Sequence, residues 1–412
     1  TRFAHMLQSS ILDDRTPLLD NKDRRNDRLG STSSAFLNFF KALFGAGVLA
    51  LPHGFTNSGL LGGIVVYVIA TYLCAYSMVF LLRCKRIALA ADPGTSVTTY
   101  AGLAKYAGGI RMYWLVAFSV CFLEMCFCTG WIIVASDNLH VATGLYSSAK
   151  WSWLACPLLC VLCSVRWIAN LWPLSILGLI IYLGGIMGAT YFYIGSGQVS
   201  LKWTNVEPVI WSTLPGFAGN AMYSLEAILV ALPVYGSMVQ PEHGPAVIAT
   251  ATGTYGAIAC VFGAMAYIYG LGICETDGGA VITDCLPAGA LTMAVRVSLA
   301  SALLVSFPVA LYPVSEIMEE AIFDAPPSSL SCLVLRYAEV VTACAVASWC
   351  PDFTLFSGVV GAVFIPFVGF ILPPLIYLQL VSWDEAKIHD KIHIIILLTT
   401  GLLITIIGVF LL

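Results

Sequence analysis

The carboxylic acids within long apolar segments of this 412-residue chain include Glu124, Glu226 and Glu316. A charged side chain inside a bilayer is costly unless it is paired or functional, so each acid is a candidate functional group. Glu226 comes seven residues before Pro233, and a carboxyl group in surroundings of low dielectric suits the uptake and release of a proton. We predict Glu226 as the first candidate for proton coupling and Glu124 as the second. A structural, hydrogen-bonded carboxyl group is the alternative for both.

The segment that contains Glu226 shares helix-breaking residues with the first apolar segment of the chain. The first segment reads FLNFFKALFGAGVLALPHGF and includes Gly45, Gly47 and Pro52, and both residue types weaken a helix. Its LALPHGF stretch is repeated in part by VALPVYG in the second segment. Interrupted backbone within a bilayer is tolerated where it is buried or lines a cavity. We therefore predict two discontinuous helices, although Pro and Gly are also frequent in ordinary membrane helices.

Two such interruptions at mid-membrane would suit a zwitterion. The N-termini of half-helices present free N–H groups and the positive end of a dipole, which favour a carboxylate, while exposed carbonyl groups suit an ammonium group. An amino acid carries both charges. The pattern thus favours a site for a small amino-acid substrate between the two discontinuous helices.

The composition indicates that lipid is the main solvent of this protein. Hydrophobic residues make up 59% of the chain and charged residues 10%, whereas soluble domains carry about 25% charged residues. The net charge of −4 gives no reason to expect a nucleic-acid partner. The apolar segments contain no HExxH motif, no paired aspartates and no Ser/His dyad, and no cysteine pair has metal-ligand spacing in a polar loop. The sequence therefore predicts neither an enzyme nor a bound metal or cofactor.

Hydropathy predicts an all-α membrane protein with eleven transmembrane helices. They lie at roughly 35–57, 59–83, 111–141, 152–166, 171–195, 213–238, 246–273, 288–316, 331–350, 353–381 and 391–412. The similarity between the first and sixth spans predicts two inverted repeats of five helices, with helices 1 and 6 discontinuous. These repeats occupy residues 35–195 and 213–381 of a transporter domain at 35–412, and an extra C-terminal helix follows at 391–412.

The distribution of Lys and Arg predicts the orientation. These residues concentrate in the N-terminal tail and in alternate loops, which places the N-terminus in the cytosol. Residues 1–34 are polar and lack the apolar core of a signal peptide, so we predict a disordered cytosolic tail. Within it, Asp14, Leu18 and Leu19 form a pattern similar to a dileucine sorting signal read by clathrin adaptors. That pattern favours a vacuolar, lysosomal or endosomal membrane, with the plasma membrane as the alternative.

Two further residue pairs have a structural interpretation. Cys274 and Cys285 flank the polar stretch ETDGGAVITD, which the predicted topology places outside the cell or in a lumen. A disulfide and two free thiols both remain open there. Arg336 and Glu339 are three residues apart in the ninth span, so we predict that they pair along one helix face.

Five stretches, in order along the chain, resemble the amino acid/auxin permease family, in particular its proton-coupled amino-acid transporters and its plant-type vacuolar amino-acid transporters. They are KALFGAGVLALPHGFTNSG, SVRWIANLWPLSILGLIIYLGG, YSLEAILVALPVYGSM, SFPVALYPVSEIME and FSGVVGAVFIPFVGFILPPLIYL. The resemblance implies the LeuT-like fold of amino acid-polyamine-organocation transporters. It also places substrate contacts at Phe44, Gly45, Ala46, Gly47, Ser224, Leu225, Glu226 and Ala227.

One residue departs from the family pattern. Proton-coupled relatives often have a His near the position of Asn38, and an Asn side chain takes up no proton at physiological pH. We predict an amino-acid transporter that works by alternating access and is coupled to protons through Glu226. The alternatives are a sodium-coupled or uncoupled carrier, and an amino-acid sensor that uses the same pocket to signal to cytosolic partners.

Overall fold

The computed structural model describes residues 31–92, 97–164, 172–194, 206–269, 281–286, 288–323, 329–350 and 352–411. The elements in this part of the chain are all helices, which satisfy their backbone groups internally as a lipid environment requires. The sorting pattern at Asp14, Leu18 and Leu19 lies outside the described residues, as do Cys274 and the side chain of Cys285.

Each half of the chain begins with an interrupted helix and continues with uninterrupted helices. The first half contains α1 (Thr32–Ala42), α2 (Gly47–Ser58), α3 (Leu60–Ala91), α4 (Tyr100–Thr143), α5 (Ser148–Cys163) and α6 (Trp172–Ile194). The second half contains α7 (Leu214–Leu225), α8 (Ile228–Gly236), α9 (Gly244–Ile268), α10 (Ala290–Ile322), α11 (Leu330–Trp349), α12 (Phe353–Leu380) and α13 (Ile388–Leu411). We call α1 with α2 the first broken helix, and α7 with α8 the second.

The lengths and hydropathy of these helices confirm a multi-pass, all-α membrane protein. In the described part of the chain, eight helices are long and apolar enough to cross a membrane, with the second broken helix counted once, and the first broken helix raises this number to nine. Helix α5 and the Ile176–Tyr191 part of α6 are apolar but shorter. Each predicted span overlaps one helix or one broken helix, while the number of eleven crossings stays a prediction.

Two helices are longer than hydropathy predicts. Helix α3 continues to Ala91 and α4 begins at Tyr100, beyond the predicted ends near residues 83 and 111. Hydropathy follows the apolar part of a helix, and these extensions carry polar residues such as Lys85 and Lys105. Gly109 has a φ of 72° within α4, a left-handed conformation that glycine adopts without strain and that bends the helix there.

The helices pack in pairs whose members are five predicted spans apart. Helix α2 lies against α7, α3 against α9, α4 against α10, and α5 against α11. Small residues allow close approach in these contacts and in that between α6 and α10. A Cβ on Gly256 of α9 would lie 2.5 Å from Thr71 of α3, and one on Gly185 of α6 would lie 2.6 Å from Leu299 of α10.

Helix α12 crosses the second broken helix as an irregular helix. Its segments Val360–Phe364 and Phe367–Ile371 are π-helical, and such turns are frequent at functional sites. Near the first of them, the backbones of Gly361 and Gly219 meet, and a Cβ on Gly219 would lie only 2.8 Å from the carbonyl oxygen of Gly358. The crossing therefore depends on glycine in both helices.

Helix α13 lies at the periphery of the bundle. Only 22% of the residues in its apolar 18-residue stretch are buried. Its first turn is attached to the bundle through Asp390, which pairs with Arg83 of α3 and accepts a hydrogen bond from the Tyr377 hydroxyl of α12 at 2.9 Å. This arrangement agrees with a helix added outside the two predicted repeats.

Candidate functional site

The first broken helix is interrupted at Phe44, Gly45 and Ala46. Helix α1 ends at Ala42, α2 begins at Gly47, and the two axes differ by 58°. The carbonyl oxygen of Gly45 accepts a hydrogen bond from the Tyr182 hydroxyl of α6 at 2.7 Å. No side chain caps the N-terminus of α2. The first N–H groups of α2 are therefore oriented toward the interruption, where a helix terminus favours an anionic group.

The second broken helix is interrupted at Glu226 and Ala227. Helix α7 ends at Leu225, Glu226 is extended (φ −76°, ψ 123°), and α8 begins at Ile228. One carboxylate oxygen of Glu226 accepts the backbone N–H of Ile228 at 2.7 Å. The Glu226 side chain thus caps the helix that follows it, because the interruption leaves that N–H without a helical partner.

The two interruptions meet at Gly47 and Ser224. A Cβ on Gly47 would lie 2.6 Å from the Cα of Ser224, so the two backbones touch and only glycine fits. The Ser224 hydroxyl donates to the carbonyl of Ala221 at 2.9 Å. It therefore accepts from the Tyr67 hydroxyl of α3, which is 2.9 Å away. This hydrogen bond fixes the end of α7 against α3.

Aromatic side chains enclose the first interruption. The centroid of the Phe44 ring lies 5.2 Å from that of Tyr255 and 6.1 Å from that of Tyr182. The Trp131 indole of α4 lies against Gly45, where a Cβ would be 3.2 Å from the indole nitrogen. The Tyr255 hydroxyl is buried and has no hydrogen-bond partner in the described ranges. A buried hydroxyl without a partner costs about 1–3 kcal/mol, so this group is well placed to bind a polar atom of a ligand.

Glu124 of α4 belongs to the same region of the molecule. Its carboxyl group lies close enough to that of Glu226 for the two to interact electrostatically. Among the residues that the structure describes, Glu124 has no hydrogen-bond partner and no counter-ion. The same residues contain no group of three or more His, Cys, Asp or Glu side chains that could hold a metal ion. The pair thus consists of two acids that interact electrostatically.

A small cavity lies beside Glu226. It is enclosed by α3, α8 and the second π-helical segment of α12, and it is lined by Cys74, Ser77, Met78, Leu225, Glu226, Ile228, Gly369 and Phe370. Its volume of about 10 Å³ has room for about one water molecule. An amino acid does not fit in this space, so the conformation is closed around Glu226.

The structure brings the eight predicted substrate contacts to one place, since residues 44–47 and 224–227 form the two interruptions. Their role as substrate contacts stays a prediction. Sequence patterns did not indicate the tyrosines that surround them, because aromatic residues are common in membrane helices and carry no periodic signal of their own. Tyr67, Tyr182 and Tyr255 join the site through helices that are distant in sequence.

The predicted pairing of Arg336 with Glu339 is wrong. Arg336 donates to both carboxylate oxygens of Glu319 on α10, at 2.6 and 3.2 Å. Glu339 instead accepts a hydrogen bond from the Ser315 hydroxyl at 2.5 Å. A carboxylate on the neighbouring helix offers Arg336 two oxygens in the planar geometry that a guanidinium prefers, and residue spacing along one helix cannot reveal this partner.

Solved structures share this architecture. The manganese transporter of Eremococcus coleocola, in complex with an aromatic bis-isothiourea substituted compound, matches with a TM-score of 0.55 over 92% of this chain and 85% of its own, at 13% sequence identity. At this identity the likeness shows the fold alone. The chain thus has the fold of that transporter, with helices interrupted around buried polar groups.

The sequence then identifies the family. The family described as transmembrane amino acid transporter protein matches residues 28–412, and the chain belongs to it. The amino acid transporter AVT3A of Arabidopsis thaliana is 26% identical over 95% of this chain and 90% of its own. The proton-coupled amino acid transporter-like protein pathetic of Drosophila melanogaster is 22% identical, with 88% and 79% covered. The vacuolar amino acid transporter 3 of Saccharomyces cerevisiae is 24% identical, with 88% and 53% covered.

These matches confirm the resemblance on which the sequence prediction rested. They also confirm that the protein is a transporter and not an enzyme.

Proposed function

We propose that this protein is a secondary transporter of amino acids, coupled to protons, in a vacuolar, lysosomal or endosomal membrane. The observation that carries the proposal is the meeting of two interrupted helices at Gly47 and Ser224. The amino acid and vacuolar transporters among its relatives support the substrate class and the compartment.

The two interruptions offer complementary groups to a zwitterion. The uncapped N-terminus of α2 suits the α-carboxylate of the substrate. Carbonyl groups at the C-terminal ends of α1 and α7 suit its ammonium group. The unpartnered Tyr255 hydroxyl lies beside Phe44 and supplies a further polar contact. Phe44, Gly45, Ala46, Gly47, Ser224, Leu225, Glu226 and Ala227 together form the proposed substrate site.

The packing supports two inverted repeats of five helices. A two-fold relation between the repeats pairs each helix with its counterpart five spans later, and α2 with α7, α3 with α9, α4 with α10, and α5 with α11 are such pairs. The substrate site lies between the repeats. Alternating access then requires one half of the molecule to move against the other and to open the closed space around Glu226.

Glu226 is the proposed proton-coupling residue. Its carboxylate caps the first free N–H of α8, and a carboxylate accepts such a bond more strongly than a neutral acid does. A proton that binds Glu226 therefore weakens the attachment between the interruption and α8. Proton binding is coupled in this way to the backbone that contacts the substrate.

Transport by the purified protein in liposomes tests the proposal. Uptake of a panel of amino acids is measured at two pH values, with and without sodium. We expect uptake that rises when the outer side of the vesicle is acidified and that does not require sodium. Substitution of Glu226 with Gln should remove the pH dependence, whereas Glu385→Gln, in an exposed loop before α13, should preserve it. Unchanged pH dependence in the Glu226→Gln variant would refute the assigned role.

A further inference from the structure

A second group of buried charges lies away from both interruptions. Arg336 on α11 is 4% exposed and Glu319 on α10 is 7% exposed. They form a two-point ion pair with distances of 2.6 and 3.2 Å. A buried ion pair of this geometry satisfies both charges at once.

Glu339 is the residue of this group whose hydrogen bonding is incomplete. Its side chain lies one turn from Arg336 on α11 and the residue is 7% exposed. One carboxylate oxygen accepts from Ser315 at 2.5 Å, and the other is buried and has no hydrogen-bond partner in the described part of the chain. The strong hydrogen bonds of Arg336 go to Glu319. The group thus contains one buried cation and two buried acids, and a proton on Glu339 would make its net charge zero.

A water-sized cavity adjoins this group. Its volume of about 10 Å³ has room for about one water molecule. It is lined by Cys163, Pro308, Leu311, Tyr312, Ser315 and Arg336. Three of these side chains are polar, which is the environment that holds a buried water. Ser315 contacts both the cavity and Glu339, so a proton on Glu339 has a polar neighbour through which it can be exchanged.

Helix α4 lies between Glu339 and the interrupted helices. Cys121 and Cys128 lie three residues before and four residues after Glu124, and so share its helix face. Both cysteines lie within electrostatic reach of Glu124 and of Glu339. Glu124 in turn lies within reach of Glu226. Glu124 thus interacts with Glu226 directly and shares the neighbours Cys121 and Cys128 with Glu339.

Besides the cysteines of α4, polar or ionisable side chains face Glu339 from α5, α10 and α11. Glu319 and Ser315 face it from α10, and Arg336 from α11. Cys163 faces it from α5. Arg336 is the cation of this set in the described ranges, and it is engaged by Glu319.

We propose that Glu339 is a second proton-binding site, and that the coupled proton moves between Glu226, in the substrate site, and Glu339 through Glu124, along a route that is separate from the amino-acid path beyond Glu226. In each step a proton leaves one carboxylic acid, which becomes a carboxylate, and joins the next carboxylate. The route ends at Glu339, the tenth residue of α11, and Ser315 leads from it toward the end of α10 at Ile322, on the side that the predicted topology assigns to the cytosol. This inference rests on the proposed proton coupling at Glu226.

Two assays on the full chain in liposomes separate proton movement from substrate movement. Exchange of internal for external amino acid at equal pH needs no net proton transfer. Uptake driven by a pH gradient, with a pH-sensitive dye inside the liposomes, measures the movement of the proton and of the amino acid. We expect Glu339→Gln to keep exchange within about twofold of the wild type and to reduce driven uptake and the dye signal by about tenfold or more. Glu385→Gln is the matched control and should behave as wild type in both assays.

The outcomes distinguish this inference from the proposed function. Loss of driven uptake in both Glu226→Gln and Glu339→Gln, with exchange preserved in Glu339→Gln, supports the route. Loss in Glu226→Gln alone overturns the route and leaves the proposed function standing, whereas no loss in either variant refutes proton coupling itself. If Glu339→Gln does not fold, Glu339→Asp keeps a titratable group at a changed position. It should couple with a shifted pH midpoint, and an unshifted midpoint with normal uptake overturns the route.

Discussion

Tyr67 and Tyr255 both approach the interrupted helices, but their hydroxyl groups differ in their hydrogen bonds. Tyr67 donates to Ser224 at 2.9 Å and so holds the end of α7 in place. The Tyr255 hydroxyl is buried without a partner in the described ranges. A hydroxyl that is unsatisfied in the empty site is the kind of group that a substrate can satisfy.

Substitution of Tyr255 with Phe should therefore separate binding from stability. The change removes a hydroxyl that has no partner, so the melting temperature should stay the same or rise. We expect the KM for the preferred amino acid to rise by about tenfold, equivalent to ~1.4 kcal/mol, because a hydrogen bond to the substrate is lost. Tyr67→Phe is the matched control, and it should lower the melting temperature because it breaks the bond to Ser224. An unchanged KM in Tyr255→Phe would show that its hydroxyl does not contact the substrate.

Candidate functional acids could be selected from the sequence because charges are rare in apolar segments. That criterion indicated Glu124 and Glu226, and the structure brings the two within electrostatic reach. It could not show that Glu226 caps α8, since this contact depends on the conformation of the interruption. Nor could it reveal Glu319 as the partner of Arg336, because the two residues lie on different helices.

At the level of elements, glycine and proline predicted which helices are interrupted, and Gly45 lies in the first interruption, but the prolines mark neither interruption. Pro52 and Pro233 lie inside α2 and α8, not at the breaks. A proline has no backbone N–H to donate. At positions 52 and 233 the helical hydrogen bond would go to the carbonyl oxygens of Val48 and Leu229, which lie in the first turns of α2 and α8. Each proline thus weakens the start of its helix, so the interruption precedes the proline.

Gly47 tests whether the contact between the broken helices is required. In Gly47→Ala the added methyl would lie 2.6 Å from the Cα of Ser224, a backbone atom that cannot move without displacing α7. We expect destabilisation of about 1–3 kcal/mol and a loss of transport of about tenfold or more, measured by melting and by uptake in liposomes. Gly253→Ala in α9 adds a methyl with no atom within 4 Å and should transport normally. Normal transport by Gly47→Ala would show that the two interruptions need not touch.

For the whole molecule, composition and hydropathy were sufficient to predict an all-α membrane protein, because a bilayer permits few other architectures. Two inverted repeats of five helices were predicted from one short similarity, LALPHGF and VALPVYG, and helices five spans apart pack together in four pairs. The π-helical turns of α12 and its glycine contact with α7 could not be predicted. They depend on how α12 crosses α7, and the sequence of one helix alone does not determine that crossing.

That crossing leads to a prediction about the closed conformation. Helices α2 and α7 meet through Phe55 and Phe217, whose ring centroids are 5.4 Å apart, and α7 meets α12 at Gly219 and Gly361. We expect the proposed alternating access to open these contacts in part of the cycle. A methyl group at position 361 would collide with the backbone of Gly219 in this closed conformation, so Gly361→Ala should shift the population toward an open state.

Hydrogen exchange measured by mass spectrometry reports this shift directly. In Gly361→Ala we expect faster exchange in peptides from α7 and α12, preserved amino-acid binding, and transport reduced by about tenfold or more because the cycle cannot return through the closed state. Gly253→Ala should show wild-type exchange, since its methyl enters open space. Wild-type exchange in Gly361→Ala, together with normal transport, would mean that the crossing of α7 and α12 stays fixed during the cycle and that the molecule opens elsewhere.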